Sequence, residues 1–225
     1  MKRLFSLTLI FMLLLSCVNS ENTDEFIKNT EGRYLFNSDE TIEIYYVDKE
    51  LRVKWRGKDM VPIKANDSSF YLKEMNEKLV FVTAPNIHIE LAPKREHDGE
   101  KFSFTKLAKG EKTPAEYLAT KEYDKALKGY LRIKQKDSLD PTIRERVLNR
   151  LGYNKIAEKK YDEAIEIFKI NVALYPYKSN PYDSLGEAYW YAKDTANSVM
   201  NFKKALAINP ENRGAKRFIK RHNIK

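Results

Sequence analysis

The sequence predicts an α+β protein in two parts: an N-terminal antiparallel β-barrel-like or curved-sheet domain, then an α-solenoid of about three helix-turn-helix repeats. Three observations predict it. Near its C-terminus the chain repeats with a 34-residue period, so that Leu151, Gly152, Ala164, Phe168 and Pro176 return as Leu185, Gly186, Ser198, Phe202 and Pro210. A unit of that length is a helical hairpin that buries its apolar face only by stacking on neighbours. Between Phe26 and Leu107 the apolar residues instead recur with period two, the pattern of strands with one buried face. Finally, the apolar run Leu4–Leu15 behind Lys2 and Arg3 is a targeting segment, too short to cross a bilayer as a mature helix, and stands outside the fold.

Met1–Ser16 is accordingly read as a signal peptide. It runs into Leu14-Leu15-Ser16-Cys17, which resembles the lipobox of bacterial lipoproteins. That resemblance implies lipidation of Cys17 as the first residue after cleavage. It also implies a protein held in the bacterial cell envelope, on the periplasmic or surface face of the outer membrane. Leu15 is bulkier than the small residue usual there, and a secretory signal with an incidental cysteine is the alternative. Cys17 is the only cysteine, which excludes an intrachain disulfide and a cysteine-based metal site. Val18–Glu25 is polar and aperiodic and is expected to be a tether. The expected segments are therefore a signal peptide at 1–16, a tether at 17–25, a small all-β domain at 26–108, and a repeat domain with a terminal capping helix at 109–225.

In the first domain, Thr41–Val47 and Leu51–Trp55 alternate on either side of Asp48-Lys49-Glu50 and predict an antiparallel hairpin. Further strands are expected at Val61–Lys64, Phe70–Leu72, Leu79–Thr83, Ile87–Leu91 and Phe102–Thr105. Gly32-x-Tyr34, Ile42, Ile44, Leu51, Pro62-Ile63, Phe70 and Leu79–Phe81 together resemble a small β-module commonly attached behind β-lactamase-like serine hydrolases. The resemblance implies that this chain is an accessory half whose hydrolase is elsewhere.

In the second domain each repeated residue has a packing role. Gly152 and Gly186 admit a close helix–helix approach, Phe168 and Phe202 fill the space between helices, and Pro176 and Pro210 stop the second helix of each unit. Upstream, Glu122–Leu127 mirrors Lys160–Ile165 at an offset of 38, and Pro114 stands where the glycine belongs. This first unit is degenerate, with either an insertion or a longer second helix. Thr113-Pro114-Ala115-Glu116 has the form of a capping box, while Asp140-Pro141 and Asn180-Pro181 each place a capping side chain before a proline. Arg213–Arg221 reads as a polar terminal helix with Ala215, Phe218 and Ile219 on one face.

The order Tyr182, Leu185, Gly186, Tyr189, Phe202, Ala205, Pro210 resembles the tetratricopeptide repeat, with Ser198 in place of an alanine. The preceding unit shares Leu148, Leu151, Gly152, Ala164, Phe168 and Pro176, but has Lys155 at the tyrosine position and Asn171 at the second alanine position. The resemblance implies a concave groove lined by first-helix residues. On the 145–178 unit these are Arg146, Asn149, Tyr153, Ile156 and Ala157; on the 179–212 unit they are Asn180, Asp183, Glu187, Trp190 and Tyr191. Tyr153, Trp190 and Tyr191 are expected as anchors, with Arg146, Asn149 and Asp183 setting orientation. A subset of the family clamps the C-terminal carboxylate of chaperones, but Glu111 and Ala115 stand where that clamp needs Lys and Asn, so that ligand is not expected.

No catalytic constellation emerges. Ser103-Phe104-Thr105-Lys106 has the letters of a serine-hydrolase motif, yet lies in an alternating strand rather than at a helix start. His88, His97 and His222 are scattered, with no metal spacing between them, and no glycine-rich phosphate loop is present. The formal charge of +9 invites a nucleic-acid partner, but export and the interspersed glutamates argue against one. The sequence therefore reads as a non-enzymatic, lipid-anchored adaptor that needs no cofactor or metal and binds an envelope protein or peptide. The alternatives are an accessory subunit of a separate serine hydrolase or peptidoglycan enzyme, and a small-ligand carrier using the interior of the β-domain.

Overall fold

The computed structural model describes residues 21–224; the signal segment and Cys17 lie outside the described residues. The period-two region folds into nine strands: β1 (Gly32–Leu35), β2 (Thr41–Val47), β3 (Glu50–Trp55), β4 (Lys58–Met60), β5 (Ile63–Asn66), β6 (Ser69–Leu72), β7 (Glu77–Val82), β8 (His88–Leu91) and β9 (Ser103–Lys106). They form one curled antiparallel sheet in the order β4-β3-β2-β1-β9-β8-β7-β6-β5. The expected hairpin forms with Ile44 opposite Val53 and Tyr46 opposite Leu51. Its turn is Asp48-Lys49, both at positive φ, the backbone that matches the twist of the flanking strands.

Strands β1 and β4 were not expected. Each is short and sends only one residue fully inward, Tyr34 and Met60, so neither shows a readable alternation. The tether expected over 17–25 is corrected in its described part, from residue 21 on. Asn22 is folded against the hairpin turn, its amide and Nδ2 donating to the Lys49 carbonyl at 3.2 and 2.8 Å. Thr23 then caps α1 (Asp24–Thr30) by accepting from the Phe26 amide. Phe26 anchors this helix on the sheet, its ring 5.9 Å from Phe70 and 5.4 Å from Phe81.

Side chains fill the inside of the curl. Trp55 meets Phe104 edge-on at 5.4 Å, Phe36 stacks on Phe104 at 4.8 Å, and Phe81 bridges Tyr34 and Phe70. The Trp55 indole donates to Glu40 at 2.7 Å. A carrier needs a vacant interior, and this one is occupied by its own aromatics.

The helical segment comprises α2 (Pro114–Ala119), α3 (Tyr123–Lys136), α4 (Glu145–Ala157), α5 (Tyr161–Leu174), α6 (Ser179–Tyr191), α7 (Thr195–Ile208) and α8 (Arg213–His222). The pairs α4/α5 and α6/α7 are the two matched units. A Cβ on Gly186 would meet the Phe202 ring at 3.1 Å, and one on Gly152 would meet Phe168 more closely still. In the degenerate unit the roles are exchanged: Pro114 on the first helix is accommodated by Gly129 on the second. The capping box forms as expected, Thr113 and Glu116 bonding each other's backbone amides at 3.1 and 2.8 Å. The four extra residues sit between units, where Asp140 caps a single 3-10 turn at Pro141–Ile143, so α3 is no longer than α5 or α7. Asn180 does not cap; it lies in the first turn of α6, and its Nδ2 donates to Glu145 at 2.8 Å.

Departures from the repeat pattern are compensated locally. The Ser198 hydroxyl, fully buried where alanine is usual, donates to the Gly186 carbonyl at 2.9 Å. Asn171 donates to the Glu145 carbonyl at 3.2 Å. Lys155 binds Glu163 at 3.1 Å, and Glu163 also holds Lys121 of the first unit at 2.9 Å. Each hairpin turns on a lysine at positive φ: Lys121, Lys159 and Lys193. Left-handed backbone costs a residue with a Cβ about 1–2 kcal/mol, part of which a glycine returns through its freer unfolded chain. Lys159→Gly is therefore expected to raise the unfolding free energy by up to about 1 kcal/mol, measurable by urea titration; a loss of stability would refute it.

The first unit is docked onto the sheet. The Ala115 amide donates to the Ser38 carbonyl at 3.0 Å, Arg33 pairs with Glu116 at 2.7 Å, and Leu35 packs against the core containing Tyr130 and Ile133. The β-domain thus covers one end of the helical stack, and α8 covers the other through Ala215 and Phe218. Stacked repeats need both ends covered.

Candidate protein-binding groove

The first helices α4 and α6 present the face that the repeat geometry leaves unpaired. Four expected groove residues, Arg146, Asn149, Tyr153 and Asn180, do line one open groove of about 670 Å³. It also takes in Leu139, Arg144, Arg150, Tyr175 and Lys178, which sequence reasoning missed. Leu139 belongs to the four-residue insertion, whose place could not be read without knowing where α3 ends. Arg150 lies one helical turn beyond Arg146, a signal visible only once the groove face was fixed.

The groove is electropositive. Arg144, Arg146 and Arg150 have no ion-pair partner among the described residues, while Lys178 is neutralised by Glu145 at 3.1 Å. Asn149 holds a buried Oδ1 with no hydrogen-bond partner. Leu139 is 78% exposed and supplies apolar area beside these charges. Tyr153 is half-buried, its ring edge-on to Phe168 at 5.3 Å, and burial raises its phenol well above the usual range, with Glu187 and Asp183 adding to the effect.

The remaining expected groove residues are placed elsewhere. Ile156 packs into the core with Ala164, Phe168 and Leu185. Trp190 and Tyr191 meet the terminal helix: Phe218 is 6.3 Å from Trp190 and 6.0 Å from Tyr191, and Tyr191 also stacks on Tyr161. His222 lies 5.3 Å from Trp190 and 4.4 Å from Phe218. Asp183 is only 4% exposed and faces the start of α8, where a Cβ on Gly214 would collide with its carboxylate. Desolvation raises Asp183 to about 6, partly offset by the nearby polar groups of Asn212 and Ala215 and by the charge of Arg217. Desolvation and the Asp183 charge raise Glu187 to about 7, opposed by Tyr153 and Arg221. The chain's own last helix therefore occupies the distal end of the predicted groove, and the free part is the stretch along α4.

Ser103, Lys106 and His97 all belong to the β-domain. Ser103 and Lys106 lie in β9 with Phe104 fully buried between them, far from a helix start. His97 is buried, bonded to Glu77 at 3.2 Å and edge-on to Phe102. Among the described residues no group of His, Cys, Asp and Glu has the makings of a metal site.

The helical segment is thus a short solenoid of stacked hairpins, open along one face. Residues 180–212, the α6/α7 unit, match the tetratricopeptide repeat family model. No curated protein matches the chain. Similar solved structures include the first tetratricopeptide domain of Spaghetti (RPAP3) bound to an HSP90 peptide, at 17% identity over 49% of this chain and 84% of that one, with a TM-score of 0.34. They also include the second such domain of human RPAP3 in complex with an HSP70 peptide, at 17% identity over 50% of this chain and 90% of that one (TM-score 0.35). The tetratricopeptide domain of Arabidopsis OM64 is similar at 15% identity over 49% of this chain and 88% of that one (TM-score 0.34).

Proposed function

We propose that the protein is a non-catalytic adaptor, lipid-anchored through Cys17 in a bacterial envelope, whose α4 groove binds an extended acidic segment of another protein. The observation that carries this reading is the unpaired, exposed arginine set Arg144, Arg146 and Arg150 lining one open groove. Arginines supply forked donors to carboxylates, which suits an acidic peptide laid along the helix. Leu139 and Tyr153 add the apolar contact that gives such complexes their area.

A photoreactive residue at position 149 in intact cells tests this. It is expected to capture a discrete partner, whereas the same probe at Lys128, exposed on α3, captures none. Arg146→Glu with Arg150→Glu is expected to cut the adduct at least tenfold, in line with losing close charge pairs across an interface. An undiminished adduct in a folded double variant would reject the groove.

A further inference from the structure

We infer that the rim of the β-domain bearing Val47, Val61 and Ile63 is a membrane-contact surface, lying on the bilayer into which the N-terminal lipid inserts. The inference rests on the lipid-anchor reading of Cys17.

Three observations converge on this rim. It gathers exposed apolar side chains beside the charged turn Asp48-Lys49-Glu50: Val47 is 44%, Val61 57% and Ile63 58% exposed, three of the eight large exposed hydrophobic residues among those described. Scattered single residues of this kind need no explanation, but a group does. They share one end of the sheet. Val47 closes β2 opposite Glu50, β4 runs antiparallel to β3 with Met60 opposite Val53, and the chain leaving Met60 therefore heads back toward the β2–β3 turn through Val61 and Ile63.

The folded chain also starts at this end. Asn22 is bonded to the Lys49 carbonyl in the turn, and Lys64, next to Ile63, donates to the Glu21 carbonyl at 2.9 Å. Cys17 precedes Asn22 by five residues, and five residues reach at most about 18 Å. A lipid on Cys17 cannot hold this rim farther than that from the headgroups. The tether is too short for the domain to stand clear of the membrane, so the rim beside its origin is the surface brought against it.

The chemistry selects insertion over charge attraction. Lys49 pairs with Asp24 at 3.0 Å and Lys64 with Asp67 at 3.5 Å, which leaves little net positive charge to seek anionic lipid. Val61 and Ile63 instead offer branched side chains to the acyl boundary, a second apolar signal beside the lipid itself. A second copy of the chain adding to the β5 edge fits less well, because the register of β5 against β6 shifts between Lys64 and Asn66, and a bulge bends an edge strand away from further pairing.

Lipidation consumes the only cysteine, so one introduced cysteine can be labelled alone. The full-length lipoprotein carrying Ile63→Cys with an environment-sensitive fluorophore is reconstituted in phosphatidylethanolamine–phosphatidylglycerol vesicles whose acyl chains are brominated. Tyr177→Cys, at a side chain 91% exposed in the helical segment, is the reference. The expected result is at least twofold quenching at position 63 and none at 177. A probe at Val47→Cys is expected to lose its quenching when Val61→Glu and Ile63→Glu are added, with the protein still floating on the vesicles. Flotation without quenching at 63 overturns the contact surface, and a blue-shifted but unquenched label would assign the rim to a second copy of the chain instead. Failure to float overturns the lipid anchor, and the inference with it.

Discussion

Gly152→Ala is expected to lower the unfolding free energy by about 1–2 kcal/mol, although alanine is the better helix former by about 1 kcal/mol. A Cβ at this position would lie 2.5 Å from Phe168 Cζ and 2.8 Å from its Cδ1. The ring has no retreat. Phe168 is fully buried with Ala164, Leu185 and Ala188, and Tyr153 stands edge-on to it at 5.3 Å. Forcing extra volume into such a core costs about 1–3 kcal/mol, which outweighs the propensity gain. Gly152→Val loses most of that gain as well and is expected to cost about 3 kcal/mol or more. The equivalent Gly186→Ala is expected to be nearly neutral, because its Cβ would meet Phe202 at 3.1–3.2 Å, a gap that a small ring shift opens. Urea unfolding of the three variants tests the ordering. Equal effects at the two glycines would show that the repeat position, not the local space, sets the cost.

The same two glycines show why the repeats were legible. A helical hairpin records its packing as a small residue on one helix and a ring on the next at a fixed distance, so Gly152/Phe168 and Gly186/Phe202 appear in the sequence as one repeated pair. The degenerate unit broke that record. Its close approach is made by Pro114 against Gly129, which keeps the geometry and reverses the helices that supply it. The hairpin β2/β3 was legible because both strands alternate over several residues. Strands β1 and β4 are too short to show a period, and α1 has one stretch of two apolar residues, Phe26-Ile27, to announce it.

Half of the groove was misplaced for a different reason. Position within a repeat tells which face a residue occupies, but not what later covers that face. Trp190, Tyr191 and Asp183 hold groove positions, yet the last unit has no following unit, and α8 takes that place. The small pair Gly214-Ala215 near the start of α8 was the available signal that its backbone would approach α6 closely. Along α4, where another unit does follow, Arg146, Asn149 and Tyr153 line the open groove.

Asp183→Asn and Glu187→Gln are expected to make the protein more stable at pH 8 and to leave it unchanged at pH 4. Both carboxyls lie one helical turn apart on α6, enclosed by Tyr153 from α4 and by Arg217 and Arg221 from α8. Burial lifts Asp183 to about 6 and Glu187 to about 7, so the folded state holds these protons more tightly than the unfolded chain does. Stability from such groups is complete below the unfolded values near pH 4 and is lost as pH rises through the folded values. The window of loss is therefore pH 4 to 7, the reverse of the usual ion-paired carboxylate. Each raised carboxyl is worth at most about 3 kcal/mol by linkage, and mutual repulsion makes the pair worth less than twice that. The neutral amides avoid the cost of burying a charge, at a site where one Asp183 oxygen already has no hydrogen-bond partner. Thermal unfolding from pH 4 to 8 is expected to show the double variant ahead by about 2–4 kcal/mol at the alkaline end. The difference should concentrate in α8, because Gly214 and Asn212 rest on Asp183. Amide exchange in Arg213–His222 that is equally slow in wild type at pH 5 and pH 8, after correction for intrinsic rates, would refute this.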